Sequence, residues 1–568
     1  MVNNKRKEYY VADFETEYLT EEQIEIGEST YVWAWAICSV NDSKKVVYGT
    51  EITTFFNYLR TLKSGSIVYF HNLKFDGQFI LNCLLNNGYS QVKSNRNMKD
   101  KQFTALVSEL GVWYQIQIKL GTKIINIYDS LKKLPFQVKV IAKSLGYEEE
   151  KGKIDYHQHR EEGGALSEED KDYIRRDVQI VANAIKDVCF SKDMYKMTIG
   201  SDCMEYYKSI TPNFLQMFPK LTPDIDYFCR QAYKGGYCYV NPKIAKTRLY
   251  CNGSTYDYNS MYPSVMHSQS GYWYPVGKPE YYTGMYETNK KYPLYIQHFK
   301  ASFILKDNKV PTVQIKNNKY YNEHMYIEMA QEEVELYMTN VDLERFFDHY
   351  EIISFEPIDG LMFNCARGMF DKYINHWYKY KEEATIKKDK VGRMVAKLML
   401  NNLYGKFATG TDATTQQFYY DNGILRHHND YEEKDGVYVP VGAFITSYAR
   451  KELIDAIQAN YDNFCYCDTD SIHLTVPEAK DIKVHDSALG YWKKESTWTE
   501  AKFIRQKTYA EFIDGKWDFK AAGACDEVKE NITIDTFNIN ATFPGKLSVE
   551  RVKGGIVLQP TTFTILDI

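Results

Sequence analysis

The segment NFCYCDTDSIHL, residues 463–474, sets Asp468 and Asp470 one residue apart inside an apolar, aromatic-rich run that reads as a buried strand. Side chains on a strand alternate, so residues i and i+2 share a face and both carboxylates are expected to point to one place. Two like charges there require a cation, the alternative being a polar hairpin tip with both acids in water. A hard divalent ion such as Mg²⁺ takes carboxylate oxygens and leaves room for substrate phosphates, and a pair of such ions stabilises the attacking and leaving oxygens of phosphoryl transfer. A third acid, Asp257, ends a strand-like run in TYDYNSMYPSVM, where Pro263 starts a turn. Three carboxylates from two strands are thus candidates for one centre.

Between them lies RMVAKLMLNNLYGKF, in which Arg393, Lys397, Asn401 and Tyr404 recur at helical spacing and share one face. Two cations, an amide and a phenol on that face suit a triphosphate and a stacked base. A smaller cluster, RQKTYAEF, brings Lys507 and Tyr509 to one side of a strand, where they could meet a terminal phosphate.

The N-terminal half repeats the carboxylate theme. VADFET gives Asp13 and Glu15 on one strand face, YFHNLKFDGQF gives Asn72 and Asp76, and DYIRRDVQI gives Tyr173 and Asp177 one helical turn apart. Each fragment alone could be a cap or a surface acid. Together, four acids and a phenol suffice for a second two-metal site in which water is the nucleophile and phosphodiester hydrolysis the reaction.

The elements that must hold these residues fall into two patterns. Residues 8–190 read as α/β, ending in the helix SEEDKDYIRRDVQIVANAIKDVC, whose Ser167 is a capping hydroxyl and whose Glu169 and Asp170 are early acids. Beyond about residue 200 come longer connections, the Gly-rich YKGGY and strand-rich segments with a few strong helices. At 568 residues two or more cores are expected. The start carries no apolar signal segment, no run has the length of a membrane helix, and the 11 Cys lack zinc-type CxxC pairs, so a reduced intracellular setting is expected. A net charge of -5 argues against a generic nucleic-acid coat, so any nucleic acid must be met by local basic channels.

Assembled, these motifs resemble the family B DNA polymerases, and within them the protein-primed enzymes of small tailed phages, the phi-twenty-nine type. DFET, YFHNLKFDG and YIRRD look like the three proofreading exonuclease motifs, YDSLKKLPF like the segment that binds a single-stranded primer end, and YKGGY like the link between nuclease and polymerase. DYNSMYP, KLMLNNLYG, YCDTDS and KTY look like the polymerase motifs, in order. The fold implied is α/β and α+β multidomain: an RNase H-like 3′ to 5′ exonuclease domain at 1–197 and a right-hand polymerase domain at 198–568. Within the latter the resemblance implies a palm at 198–270 and 435–522, fingers at 369–409, a thumb at 523–568, and two insertions, 271–368 and 410–434, that mark protein priming.

Carried over residue by residue, the resemblance implies that Asp13, Glu15, Asp76 and Asp177 hold the nuclease metals, with Tyr173 and Lys151 assisting. Thr16, Tyr69, His71, Asn72, Phe75, Ser130 and Leu131 would bind the frayed strand, and Tyr233, Gly235, Gly236, Thr469, Lys507 and Tyr509 the duplex and primer end. Asp257, Asp470, Asp468 and the Tyr258 carbonyl would hold the polymerase metals; Ser260, Met261, Tyr262, Lys381, Arg393, Lys397, Asn401 and Tyr404 would form the nucleotide pocket. Met261, Tyr258 and Asn402 depart from the family pattern. The cofactor implied is Mg²⁺, two ions per site, with Mn²⁺ able to substitute. The partners implied are template and primer DNA, dNTPs and a terminal protein, for a monomeric enzyme in the host cytoplasm. In the first insertion, NVDLERFFDHY is expected to offer its mixed charges to that protein partner. The alternatives are a DNA-primed family B polymerase and a non-catalytic single-strand binder, the latter disfavoured because clustered acids repel phosphates.

Overall fold

The computed structural model describes residues 7–147, 158–315, 321–322, 325–434 and 436–567. The chain begins with one mixed sheet: β1 (Tyr9–Thr16), β2 (Val32–Ser39), β3 (Val46–Gly49), β4 (Ile67–Phe70), β5 (Ser90–Gln91), β6 (Gln102–Val107), β7 (Trp113–Leu120) and β8 (Lys123–Asp129). Their order is β3-β2-β1-β4-β8-β7-β6-β5, with β4 parallel to β1 and β8. All four residues of β4 are buried, as a central parallel strand covered on both faces requires. Helix α1 (Leu73–Asn86) follows β4, and α2 (Glu168–Ala184) packs on β1 and β2. α2 starts as its sequence predicts: Ser167 Oγ accepts the Asp170 N–H at 3.0 Å, and the Asp170 carboxylate accepts the Ser167 N–H at 3.2 Å.

After α3 (Pro223–Ala232), β9 (Cys238–Val240) and β10 (Arg248–Tyr258) open a second sheet, and α4 (Met261–Met266) leaves it. The chain then builds a separate four-stranded antiparallel sheet from β11 (Tyr274–Thr283), β12 (Leu294–Leu305), β13 (Met329–Thr339) and β14 (Tyr350–Ala366), with α5 (Asn340–His349) between the last two and a core of its own around Phe299, Phe303, Phe346 and Tyr350. A helical pair, α6 (Asp371–Ile386) and α7 (Lys390–Phe407), precedes the hairpin β15 (Asp412–Asp421) and β16 (Ile424–Glu433) and the long helix α8 (Val439–Ala459). The second sheet is completed by β17 (Phe464–Asp468), β18 (Ser471–Leu474), β19 (Trp492–Arg505), β20 (Thr508–Ile513) and β21 (Lys516–Ala521), in the order β21-β20-β19-β10-β18-β17-β9. A last hairpin, β22 (Thr542–Val552) and β23 (Gly555–Thr564), ends the fold. Among the described residues no helix is long and apolar enough to cross a membrane.

α8 is buried along most of its length, and its first half, VPVGAFITSYA, carries no charge. It is also where α5 is fastened: of the charges in NVDLERFFDHY, those of Asp342 and Arg345 are engaged inside the fold, while Glu344 and Asp348 stay exposed. Asp342 of α5 takes hydrogen bonds from Arg450 Nη2 at 2.6 Å and Nε at 3.2 Å and from Ser447 Oγ at 2.7 Å, and Arg345 pairs with Asp455 at 2.8 Å. Burial would raise the Asp342 pKa, but Arg450 prevails and holds it below the usual carboxylate value. Arg450 Nη1 donates onward to the carbonyls of Lys234 at 2.7 Å and Gly235 at 2.8 Å. These charges are satisfied inside the fold because a buried guanidinium needs its acceptors.

Candidate active sites: two carboxylate centres

In the second sheet, β17 stops at Asp468 and β18 starts at Ser471, so Thr469 and Asp470 form a two-residue turn, with Thr469 in the left-handed region at φ 62°. The expectation that Asp468 and Asp470 project from one strand is thereby corrected: the turn separates their directions. The turn is pinned from below, where the Thr469 N–H donates to the Tyr237 carbonyl at 2.8 Å and a Cβ on Gly236 would meet the Thr469 side chain at 2.8 Å. Asp468 is held by Lys507 Nζ at 2.7 and 2.8 Å and by Thr469 Oγ1 at 3.0 Å.

Asp470 has no such cation and lies against Asp257, which β10 brings beside β18 through the Asp257–Ser471 pairing; the Tyr258 N–H donates to the Asp470 carbonyl at 2.7 Å. Burial and then Asp470 push Asp257 up to about 7, and burial and then Asp468 push Asp470 up to about 6, while Lys397 pulls both down. Two half-buried acids whose charged forms are disfavoured by burial and by a neighbouring carboxylate form a seat for positive charge. Among the described residues no three acids already close around a point as a complete cage. One or two carboxylates completed by phosphate oxygens and water are the donor set Mg²⁺ takes at such sites, and the residues fit it.

The cations face this pair. Arg393, Lys397 and Asn401 are exposed along one side of α7, and Tyr404 continues that side, stacked on Tyr262 of α4 at 3.8 Å and 21°. Lys381 of α6 donates to Ser260 Oγ at 3.2 Å; burial, then Arg393 and Lys397, hold its pKa below the usual lysine value. The three departures lie off this surface. Tyr258 turns its ring onto Trp492 at 5.0 Å and its hydroxyl to Glu452 at 3.4 Å, Met261 is 1% exposed in the core, and Asn402 donates to the Leu398 carbonyl at 2.7 Å. Met261 therefore supports the pocket from behind. Lys507 sits in the turn before β20 at φ 57°, and its N–H donates to the Tyr466 hydroxyl at 2.9 Å; Tyr509 packs its ring 5.0 Å from Tyr466. Tyr233 is half-buried just after α3, with Gly235 exposed beyond it.

The other acids meet in a cavity of about 720 Å³. β1 contributes Asp13, Glu15 and Thr16, the start of α1 contributes Asp76 and Phe75, and α2 contributes Tyr173 and Asp177. Glu15, Asp76, Tyr173 and Asp177 are buried, and Asp76 Oδ1 has no hydrogen-bond partner within the described structure. Burial, then Asp13, raises the Asp76 pKa well above the usual value. An orphaned carboxylate oxygen facing a second acid again fits a divalent cation.

His71 and Asn72 line the same cavity. His71 bonds Ser130 Oγ at 2.8 Å and the Phe136 carbonyl at 2.7 Å. Tyr69 is 0% exposed because it belongs to the covered strand β4, and Ser130, also 0% exposed, holds His71; Leu131 beside it is half-buried. Lys151 lies outside the described residues. Two contributors escaped the sequence reading. Asp129 accepts the N–H groups of Asn72 at 3.2 Å, Leu73 at 3.4 Å and Leu131 at 3.0 Å, and its place before Ser130 is the Asx-cap signature that could have exposed it. Leu547, Val557 and Pro560 of the last hairpin roof the cavity from the far end of the chain, with no local signal.

Residues 59–488 match the model of the family described as DNA polymerase type B, organellar and viral. The chain is 41% identical to the DNA polymerase of Bacillus phage M2, covering 94% of this chain and 96% of that protein. It is 38% identical to the DNA polymerase of Bacillus phage phi29, covering 98% and 99%. It superposes on the solved ternary complex of Phi29 DNA polymerase with primer-template DNA and incoming nucleotide substrates with a TM-score of 0.91 at 37% identity, covering 98% of this chain and all of that one. Two carboxylate centres on two sheets, the second faced by a basic helical pair, are here joined to a match over nearly the whole length, and the chain belongs to the organellar and viral type B DNA polymerases.

Proposed function

We propose that this phage DNA polymerase starts synthesis on a terminal protein, extends DNA processively with strand displacement, proofreads in the 3′ to 5′ direction, and works as a monomer in the host cytoplasm with Mg²⁺ in both centres. The observation that carries the catalytic part is the half-buried Asp257–Asp470 pair opposite the cations of α6 and α7. Bound there, divalent ions supply charge stabilisation to the attacking and leaving oxygens. Lys381, Arg393 and Lys397 take up the triphosphate charge, and the Tyr262–Tyr404 stack offers a flat platform to sugar and base. Lys507 neutralises Asp468 and stands where the primer end would enter. In the other centre Asp13, Glu15, Asp76 and Asp177 hold the ions, and Tyr173, one turn from Asp177, orients the attacking water.

Protein priming is supported by the two additions to the polymerase body: a separate sheet at β11–β14 and the hairpin β15–β16. The test is incubation of the chain with labelled dNTP, Mg²⁺, a candidate terminal protein and its origin template, without any DNA primer. Label joined to the protein is expected. Label that appears only after a DNA primer is added would leave a DNA-primed enzyme.

A further inference from the structure

We propose that Glu511 is a positioning residue for the polymerising centre: with His473 and Thr255 it locks β10 and β18 to β20 beneath Asp257 and Asp470, and so sets how well that pair captures a divalent cation. The inference rests on the polymerase reading above and names a residue to which that reading gives no role.

Glu511 is 4% exposed, and its Oε1 lies 2.8 Å from Thr255 Oγ1 and 2.7 Å from His473 Nδ1; those two donors are 3.1 Å apart. Thr255 pairs with His473, and Asp257 pairs with Ser471. The buried cluster is therefore the rung directly below the catalytic one, on the same face and roughly 7 Å along the strands. Backbone hydrogen bonds join only neighbouring strands, and β19 stands between β20 and β10. The Glu511 carboxylate is a side-chain tie that crosses this gap.

What it ties matters for the chemistry. β20 leads out of the turn that carries Lys507, the cation on Asp468, and Tyr509 on the same strand lies 4.9 Å ring to ring from His473. Among the described residues His473 Nε2 is buried and without a hydrogen-bond partner, so hydrogen bonding there orients this ring from the Nδ1 side, through Glu511 and Thr255. Removing the carboxylate leaves the buried imidazole beneath the Asp468–Asp470 turn with Thr255 Oγ1 as its remaining hydrogen-bond partner among the described residues. Groups that orient metal-binding side chains from behind typically govern about 10- to 100-fold in metal affinity or activity.

The experiment compares Glu511→Ala, Glu511→Gln and Thr255→Val with the parent chain. Mn²⁺ binding is read from the free-ion paramagnetic signal in an Asp13→Ala, Glu15→Ala background, which removes two of the acids of the other centre. Nucleotide incorporation, single-strand degradation and the melting midpoint are measured without those background changes. Glu511→Ala is expected to weaken Mn²⁺ binding and slow incorporation by about tenfold or more, with degradation unchanged. Glu511→Gln, whose amide oxygen still accepts from both donors, should recover most of both. Thr255→Val should shift the same two readouts in the same direction, and it stands in if the Ala variant does not fold. Unchanged Mn²⁺ binding and incorporation, or a parallel fall in both activities with a lowered melting midpoint and no recovery with Gln, would overturn the proposal. A parent chain that incorporates no nucleotide would remove the polymerase reading instead.

Discussion

At the residue scale, the chemistry follows from who neutralises whom. Asp468 has Lys507, while burial, then Asp470, raises Asp257 to about 7, and burial, then Asp468, raises Asp470 to about 6, against an ordinary value of 3.8. A carboxylate whose folded pKa is raised makes the folded chain bind more protons than the unfolded one, so its effect on stability worsens as pH climbs from about 4 to about 7. Asp76 adds in the same direction. A divalent cation should offset this only where the acids are ionised. Mg²⁺ is therefore expected to raise the melting midpoint more at pH 8 than at pH 5, and Asp257→Asn to shrink the difference; equal shifts at both pH values would contradict the assignment. The Tyr262 ring, fixed by its stack on Tyr404, is expected to exclude a 2′-hydroxyl. Tyr262→Val should then incorporate ribonucleotides, measured as the ratio of ribo- to deoxyribonucleotide kcat/KM, and an unchanged ratio would place the gate elsewhere.

At the scale of elements, what was legible in the sequence was local. Alternation in VADFET and the Ser167 cap lie within a few residues of the signal that announces them, and β1 and α2 form as those signals predict. The turn at Thr469–Asp470 was legible only as the rival reading of a hairpin tip, because Thr and Asp lack the Gly signature of a two-residue hairpin and the aromatic run reads on as strand. The tie between Asp342 and Arg450, which are 108 residues apart in sequence, was not legible. Removing residues 280–360 would therefore leave Arg450 buried without its acid. Asp342→Ala in the full chain should cost about 3–5 kcal/mol of stability, as breaking a buried pair does. A paired Asp342→Leu, Arg450→Met change should recover part of it. Urea unfolding measures both, and a loss below about 1 kcal/mol for the single variant would be the signature of a surface pair instead.

At the scale of the molecule, the hairpin β15–β16 bridges the first sheet and the last hairpin. The Phe418 N–H donates to Gln91 Oε1 at 2.8 Å, the Tyr420 hydroxyl donates to Asn82 at 2.8 Å, and Arg551 of β22 donates to His427 Nδ1 at 2.7 Å and to Gln78 Oε1 at 3.2 Å. These contacts join segments more than 100 residues apart, which is why composition alone could place the hairpin only between motifs. A body closed this way should hold its template through many cycles. Arg551→Ala is expected to shorten products made in a single binding event while leaving single-strand degradation intact; products of parental length would deny the hairpin that role.

The separation of the two carboxylate centres onto two sheets is the claim on which the rest depends, because it makes each reaction removable alone. Its most direct test is one purified protein, Asp257→Ala, assayed on a labelled primer-template with dNTPs and Mg²⁺ and on a labelled single strand with Mg²⁺ alone. The account predicts no extension of the first and parental degradation of the second; extension at the parental rate, or loss of both activities in a folded protein, would contradict it.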